Sequence, residues 1–149
     1  MKKHVSKISI VFILAVTTVF GGCIAVSGTN VPKGYVSSKE YFDKEGFQDY
    51  TDYCVYYYEN AEAVISDKNF KLITASENGK TGFMEQVKDA ASEVIGWMKT
   101  LGRENELEIT ADDITAGDYA YLYRTQNSLV KLYLFDSETN TLHYMASKT

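Results

Sequence analysis

The spacing of apolar positions changes three times along the chain. Residues 8–26, "ISIVFILAVTTVFGGCIAV", carry no charge. Further on comes "FQDYTDYCVYYYENAEAVIS" (47–66). At 100° per residue, Phe47, Tyr50, Cys54, Tyr57, Tyr58, Ala61, Val64 and Ile65 fall within an arc of about 120°. Asp49, Asp52, Glu59 and Glu62 lie outside it, so this stretch predicts an amphipathic helix. Upstream, Ser37-x-x-Glu40 has the form of a capping box and predicts a helix that Gly46 soon interrupts. A clearer stripe follows, in which Phe83, Val87, Ala90, Ala91, Val94, Trp97, Met98 and Leu101 share one helical face. Glu85, Lys88, Asp89, Ser92, Glu93 and Lys99 share the other. Thr81 is placed to cap this helix and Gly102 to end it.

After Gly102 the period becomes two. "ELEIT" (106–110) alternates and "ADDITAGD" turns. Then "YAYLYR" (119–124), "LVKLYLF" (129–135) and "TLHYMA" (141–146) are separated by "TQNS" and "DSETN". Three strands with such short connections predict an antiparallel meander. "NFKLIT" (69–74) predicts a short strand before the loop "SENGKTG". The expected fold is α+β, with two helices packed on one face of an antiparallel sheet ending in the three-strand meander. By analogy this order is similar to cystatin-like and nuclear-transport-factor-like rolls.

The N-terminus sets an address. "MKKHVSK" holds three lysines and no acid before the apolar run, as in a secretory signal. "VFGGC" (19–23) resembles the lipobox of bacterial prolipoproteins, with Cys23 as the lipid attachment point; Phe20 departs from the usual leucine. Alternatively, cleavage after Ser27 releases a soluble protein beginning at Gly28, or the 19 uncharged residues persist as an anchor. All three place the domain outside the cytoplasm, on the outer face of the cell membrane if it stays anchored. The expected layout is a signal peptide or anchor over 1–22, a tether over 23–38, and one globular domain over 39–149.

Charge narrows the partners. Beyond residue 22 there remain 12 basic and 20 acidic side chains, a net charge of 12 − 20 = −8. Such a domain does not suit a phosphate backbone, so nucleic acid is set aside. The chain has two cysteines, Cys23 and Cys54, and no C-x-x-C pair, so no disulfide, metal or other cofactor is expected. Cys54 reads as a small buried hydrophobe.

Catalytic constellations are sparse. His143 is the sole histidine beyond the signal region, alternates with Leu142 and Tyr144, and reads as an exposed strand residue facing away from them. No serine sits in a G-x-S-x-G turn to make a triad. Glu85, Asp89 and Glu93 are spaced i, i+4, i+8 and read as a solvated helix face. Asp112, Asp113 and Asp118 lack calcium-loop spacing and read as turn formers. No catalytic residue is assigned. A hydrolase would have to use buried carboxylates such as Glu93 or Asp118.

Tyrosine is the unusual feature, with 12 in the chain. Tyr119, Tyr121 and Tyr123 share one face of one strand, and Tyr133 and Phe135 extend it on the next. Such a row either packs as core or offers flat contact area to a protein, peptide or glycan of the envelope. "GFQDYTDYCVYYYEN" (46–60), "AGDYAYLYRT" (116–125) and "LYLFDSETNTLHYM" (132–145), behind this signal, resemble small predicted lipoproteins of Gram-positive gut and soil bacteria. The resemblance implies an envelope address and a single domain; it carries over no catalytic residue. The expected function is a membrane-tethered, non-enzymatic binding module, with a cell-wall or peptide hydrolase and an accessory or self-immunity lipoprotein as alternatives.

Overall fold

The computed structural model describes residues 31–42, 49–75, 82–126 and 128–149. The chain divides into two units, Met1–Asn30 and Val31–Thr149. Cys23 and Thr81 lie outside the described residues, as does the uncharged run.

The second unit is α+β. Six strands form one antiparallel sheet in the order β1-β2-β6-β5-β4-β3. They are β1 (Tyr35–Tyr41), β2 (Tyr50–Tyr58), β3 (Lys71–Leu72), β4 (Tyr119–Arg124), β5 (Leu129–Asp136) and β6 (Thr141–Lys148). The meander is present as expected: Tyr121 pairs with Tyr133, and Tyr133 with Tyr144. β2 adds to β6 with Cys54 opposite Tyr144, and β1 adds to β2.

Two expected helices are strands instead. The 47–66 pattern fits a helical arc because nearly every residue from Tyr53 to Tyr58 is apolar, so any period fits it. Aromatic and β-branched content then decides for a strand buried on both faces. Tyr53 and Val55 point to one side and Cys54, Tyr56 and Tyr58 to the other. One helical turn, α1 (Glu62–Ile65), survives from that prediction and buries Val64. Ser37-x-x-Glu40 lacks an apolar stripe for a helix to bury, and its residues pair with β2 as β1. The sheet therefore begins at Tyr35, inside the segment expected to be tether.

The long helix is where the periodicity placed it, α2 (Phe83–Thr100). At its start the Glu85 carboxylate accepts the Gly82 N–H at 2.9 Å. At its end Gly102 takes φ +69°, and the N–H groups of Gly102 and Arg103 turn back to the carbonyls of Lys99 and Met98. α2 covers one face of the sheet through Val87, Ala90, Ala91, Val94 and Met98, all fully buried against Tyr53, Val55, Leu132, Leu134 and Met145. The other face is aromatic, built on Tyr56, Tyr58, Tyr133, Phe135 and Tyr144, with Val64 and Phe70 among the residues packed on it.

"ELEIT" alternates without joining the sheet. Its residues run between two single 3-10 turns, Glu104–Glu106 and Ala111–Asp113. Ile109 is buried and Leu107 packs against the α2 cluster. The alternation records which side chains this segment tucks in, and no ladder.

Candidate functional site

The tyrosine row has the geometry read from the sequence. Tyr121 stacks on Tyr133, with ring centroids 5.4 Å apart, and Phe70 closes on both rings. Tyr119 and Tyr121 are half-buried against the aromatic core, while Tyr123 is 45 % exposed. The row thus grades from core to surface along β4.

A second site lies beside the β5–β6 turn. A cleft of about 510 Å³ opens between residues 108–115 and the β5–β6 turn. Glu108, Asp112, Asp113, Asp136 and Glu138 line it, with His143 among them and no lysine or arginine. Asp118 joins its two walls. This carboxylate is 3 % exposed, and accepts the backbone N–H of Thr115 at 2.9 Å and of Ser137 at 3.1 Å, besides both hydroxyls. Asp136 shapes the turn by accepting the Glu138 and Thr139 N–H groups, and Asn140 follows at φ +53°. Asp113 caps the facing 3-10 turn, taking the Thr110 N–H and hydroxyl on one oxygen.

His143 does face away from Leu142 and Tyr144, but it is 3 % exposed, which corrects the expectation of a solvent-facing residue. The face it points to is the α2 face. Tyr53 from β2 stacks on it, with centroids 6.2 Å apart and planes 18° from parallel. The Tyr53 hydroxyl lies 3.0 Å from His143 Nδ1 and accepts the Glu108 N–H at 2.9 Å. The hydroxyl oxygen keeps a further lone pair, so which of the two groups donates across this contact depends on the imidazole tautomer. His143 lines the cleft.

Electrostatics hold these groups away from neutral pH. Burial pushes the His143 pKa down to about 4, against the pull of Asp136, Glu108, Asp113 and Asp118. Burial pushes the Glu108 carboxyl up, but hydrogen bonds from Lys39 and Tyr57 together outweigh it and leave the pKa below the usual carboxylate value. Asp113 is lowered by its bonds from Thr110. Glu108 is thereby a carboxylate bridging three elements: Lys39 of β1, Tyr57 of β2 and the cleft wall.

The other sequence candidates are structural. Cys54 is fully buried and its thiol pKa is pushed up to about 12, chiefly by that burial. Glu93 is partly exposed and pairs with Arg124 at 3.0 Å. Neither Glu93 nor Asp118 lines the cleft. Glu108, Asp136, Glu138 and Tyr53 were not legible as a group, since they come from three separate segments without motif spacing. Among the described residues no cluster of histidine, cysteine and carboxylate side chains is arranged to hold a metal ion, and no helix is long and apolar enough to cross a membrane. Comparison with protein-family models, curated proteins and solved structures finds no match for the chain.

Proposed function

We propose that the protein is a membrane-tethered extracytoplasmic lipoprotein whose folded domain binds a component of the cell envelope without transforming it. The observation that carries the binding half is the acidic cleft over His143. Its volume lies within the range of roughly 300–1,000 Å³ found for ligand sites. The groups in it whose pKa is displaced, Glu108, Asp113 and His143, are all moved down, so each keeps one charge state through neutral pH. That suits recognition, whereas acid–base turnover calls for a group poised near the working pH. The carboxylate-hydrolase alternative weakens, because Glu93 is engaged by Arg124 and Asp118 is spent on hydrogen bonds between the walls. The address half rests on the basic N-terminus, the apolar run and "VFGGC".

Crosslinking in the native envelope tests the binding, comparing the wild-type chain with an Asp112→Asn/Glu138→Gln double variant and with Tyr123→Ala. Loss of crosslinked product with the first variant only supports the cleft; loss with Tyr123→Ala only moves the contact to the tyrosine row. Unchanged product in both, or none from the wild type, rejects the proposal. Mass spectrometry of the mature N-terminus tests the address, with a diacylated Cys23 expected; a free Gly28 terminus or intact residues 1–22 rejects lipid anchoring.

A further inference from the structure

We infer that the outer edge of β4 takes an extended acidic peptide as an added strand, at a site that shares no lining residue with the acidic cleft. The backbone carries the first half of the argument. β3 closes this side of the sheet, but it is only Lys71–Leu72 and covers β4 only at Tyr119 and Ala120. Just past β4, the Thr125 N–H reaches the Leu129 carbonyl at the start of β5, while the Asp118 carbonyl accepts the Ile73 N–H on the opposite side. Backbone groups alternate in direction along a strand, so the odd-numbered residues of β4 bond to β5 and the even-numbered ones face outward. Ala120 meets Lys71 there. Leu122 and Arg124, the next outward residues, have no strand opposite them among the described residues. Their N–H and carbonyl groups form a short open ladder.

Side chains define the charge of the added strand. A hollow of about 250 Å³ lies against this edge, with Lys68, Lys71, Phe83, Tyr121 and Leu122 in its lining and no carboxylate. Neither lysine forms an ion pair with a described residue, and the adjacent Asp67 carboxylate is spent on the backbone and side-chain N–H groups of Asn69. In a domain with a large acidic excess, two unpaired cations beside open backbone groups select an acidic strand. α2 flanks the same edge. Glu93 reaches Arg124 at 3.0 Å, and Trp97 and Leu101 follow one and two turns further along the helix, 40 % and 50 % exposed. They offer an apolar seat to alternate side chains of the added strand. The opposite edge of the sheet is guarded. β1 is bulged between Tyr35 and Ser37, and its Lys39 is held by Glu108, the kind of features that keep an edge from pairing.

The test is magnetic-resonance titration and amide exchange on the isotope-labelled full chain in neutral detergent, with acetyl-Glu-Val-Glu-Val-Glu-Val-amide and its lysine counterpart as probes. The Leu122 and Arg124 amides are expected to exchange fast in the free chain. They should slow about tenfold when nine-tenths of the chain holds the acidic peptide, since exchange then proceeds from the free tenth, while the paired Ala120 amide is unchanged. Lys68→Gln/Lys71→Gln is expected to weaken the acidic peptide roughly fivefold, as for two lost surface pairs, and added salt acts in the same direction. Leu122→Pro removes an N–H that no described strand uses and is expected to abolish binding with the circular-dichroism spectrum retained. If that variant unfolds, the lysine variant and the exchange profile decide. Equal or tighter binding of the lysine peptide overturns the charge argument. Acidic peptide bound without slowing at Leu122 and Arg124, or with slowing along β1 instead, overturns the edge. Slowing at both amides without peptide, growing with chain concentration, puts a second copy on the edge and overturns the peptide. No binding of the acidic peptide at millimolar concentration overturns the inference.

Discussion

Buried His143 makes the fold sensitive to acid in a defined window. Its pKa is near 6.5 in an unfolded chain and about 4 in the folded one. At pH 7 the imidazole is neutral in both states and contributes little difference. As pH falls below 6.5 the unfolded chain takes up a proton that the folded one refuses, so stability falls, and continues to fall until about pH 4. The 2.5-unit depression corresponds to about 3 kcal/mol. That is a large share of the roughly 5–15 kcal/mol that holds a typical domain together. Glu108 and Asp113 act elsewhere: their folded pKa values are depressed, so their stabilisation is present above the usual carboxylate range and is lost only below it. The interval from pH 6.5 to about 4.5 therefore reports on His143. His143→Gln removes the titration and keeps an amide to hydrogen-bond the Tyr53 hydroxyl, at a cost of about 1 kcal/mol at pH 7 from lost ring stacking. Urea unfolding followed by circular dichroism, at half-unit steps from pH 7.5 to 4, gives the two profiles. The wild type should lose about 3 kcal/mol more than the variant across that span. Parallel profiles would refute the argument and place His143 in a site where its charged form is tolerated.

Three further outcomes follow from single side chains. Asp118→Ala removes the acceptor for four hydrogen bonds between the cleft walls and should cost about 3 kcal/mol in urea unfolding, with faster amide exchange at Thr115 and Ser137. Cys54, fully buried with its thiol pKa near 12, should resist an aromatic disulfide reagent in the native state of a Cys23→Ser background and react at once in denaturant. Ser147 Oγ is buried with no hydrogen-bond partner among the described residues, so Ser147→Ala should raise stability by about 1 kcal/mol; a loss instead would show that the hydroxyl is satisfied.

The parts of the fold that the sequence made legible are those where burial is one-sided. α2 has one dry face, and its stripe from Val87 to Met98 shows the helical period, but Trp97 and Leu101, read onto that face, are 40 % and 50 % exposed and Ile95 is buried in their place. β4 alternates Tyr119, Tyr121 and Tyr123 with Ala120, Leu122 and Arg124, and the tyrosine register across to Tyr133 and Phe135 was readable from spacing. β2 was misread because it is apolar on both sides, which erases the period that separates strand from helix. β1 was misread for the opposite reason: it is mostly exposed, and pairing to β2 holds it in place more than any local preference. The cleft was hidden for a topological reason. Insertion of β2 beside β6 brings Tyr53 next to His143, 90 residues away, and no local pattern encodes that neighbour.

β1 has a mechanical consequence. Were Cys23 lipidated as proposed, residues 23–34 could span at most roughly 40 Å between it and the start of the sheet. Any tug on the leash first meets Val31, packed on the aromatic face, and Pro32, whose carbonyl accepts the Tyr58 hydroxyl, and only then β1. The same strand is moored to Glu108 through Lys39 and to Arg103 through the Tyr41 carbonyl. Under the proposed anchoring, load on the N-terminal segment would thus pass through β1 and Lys39 to Glu108 at the wall of the acidic cleft.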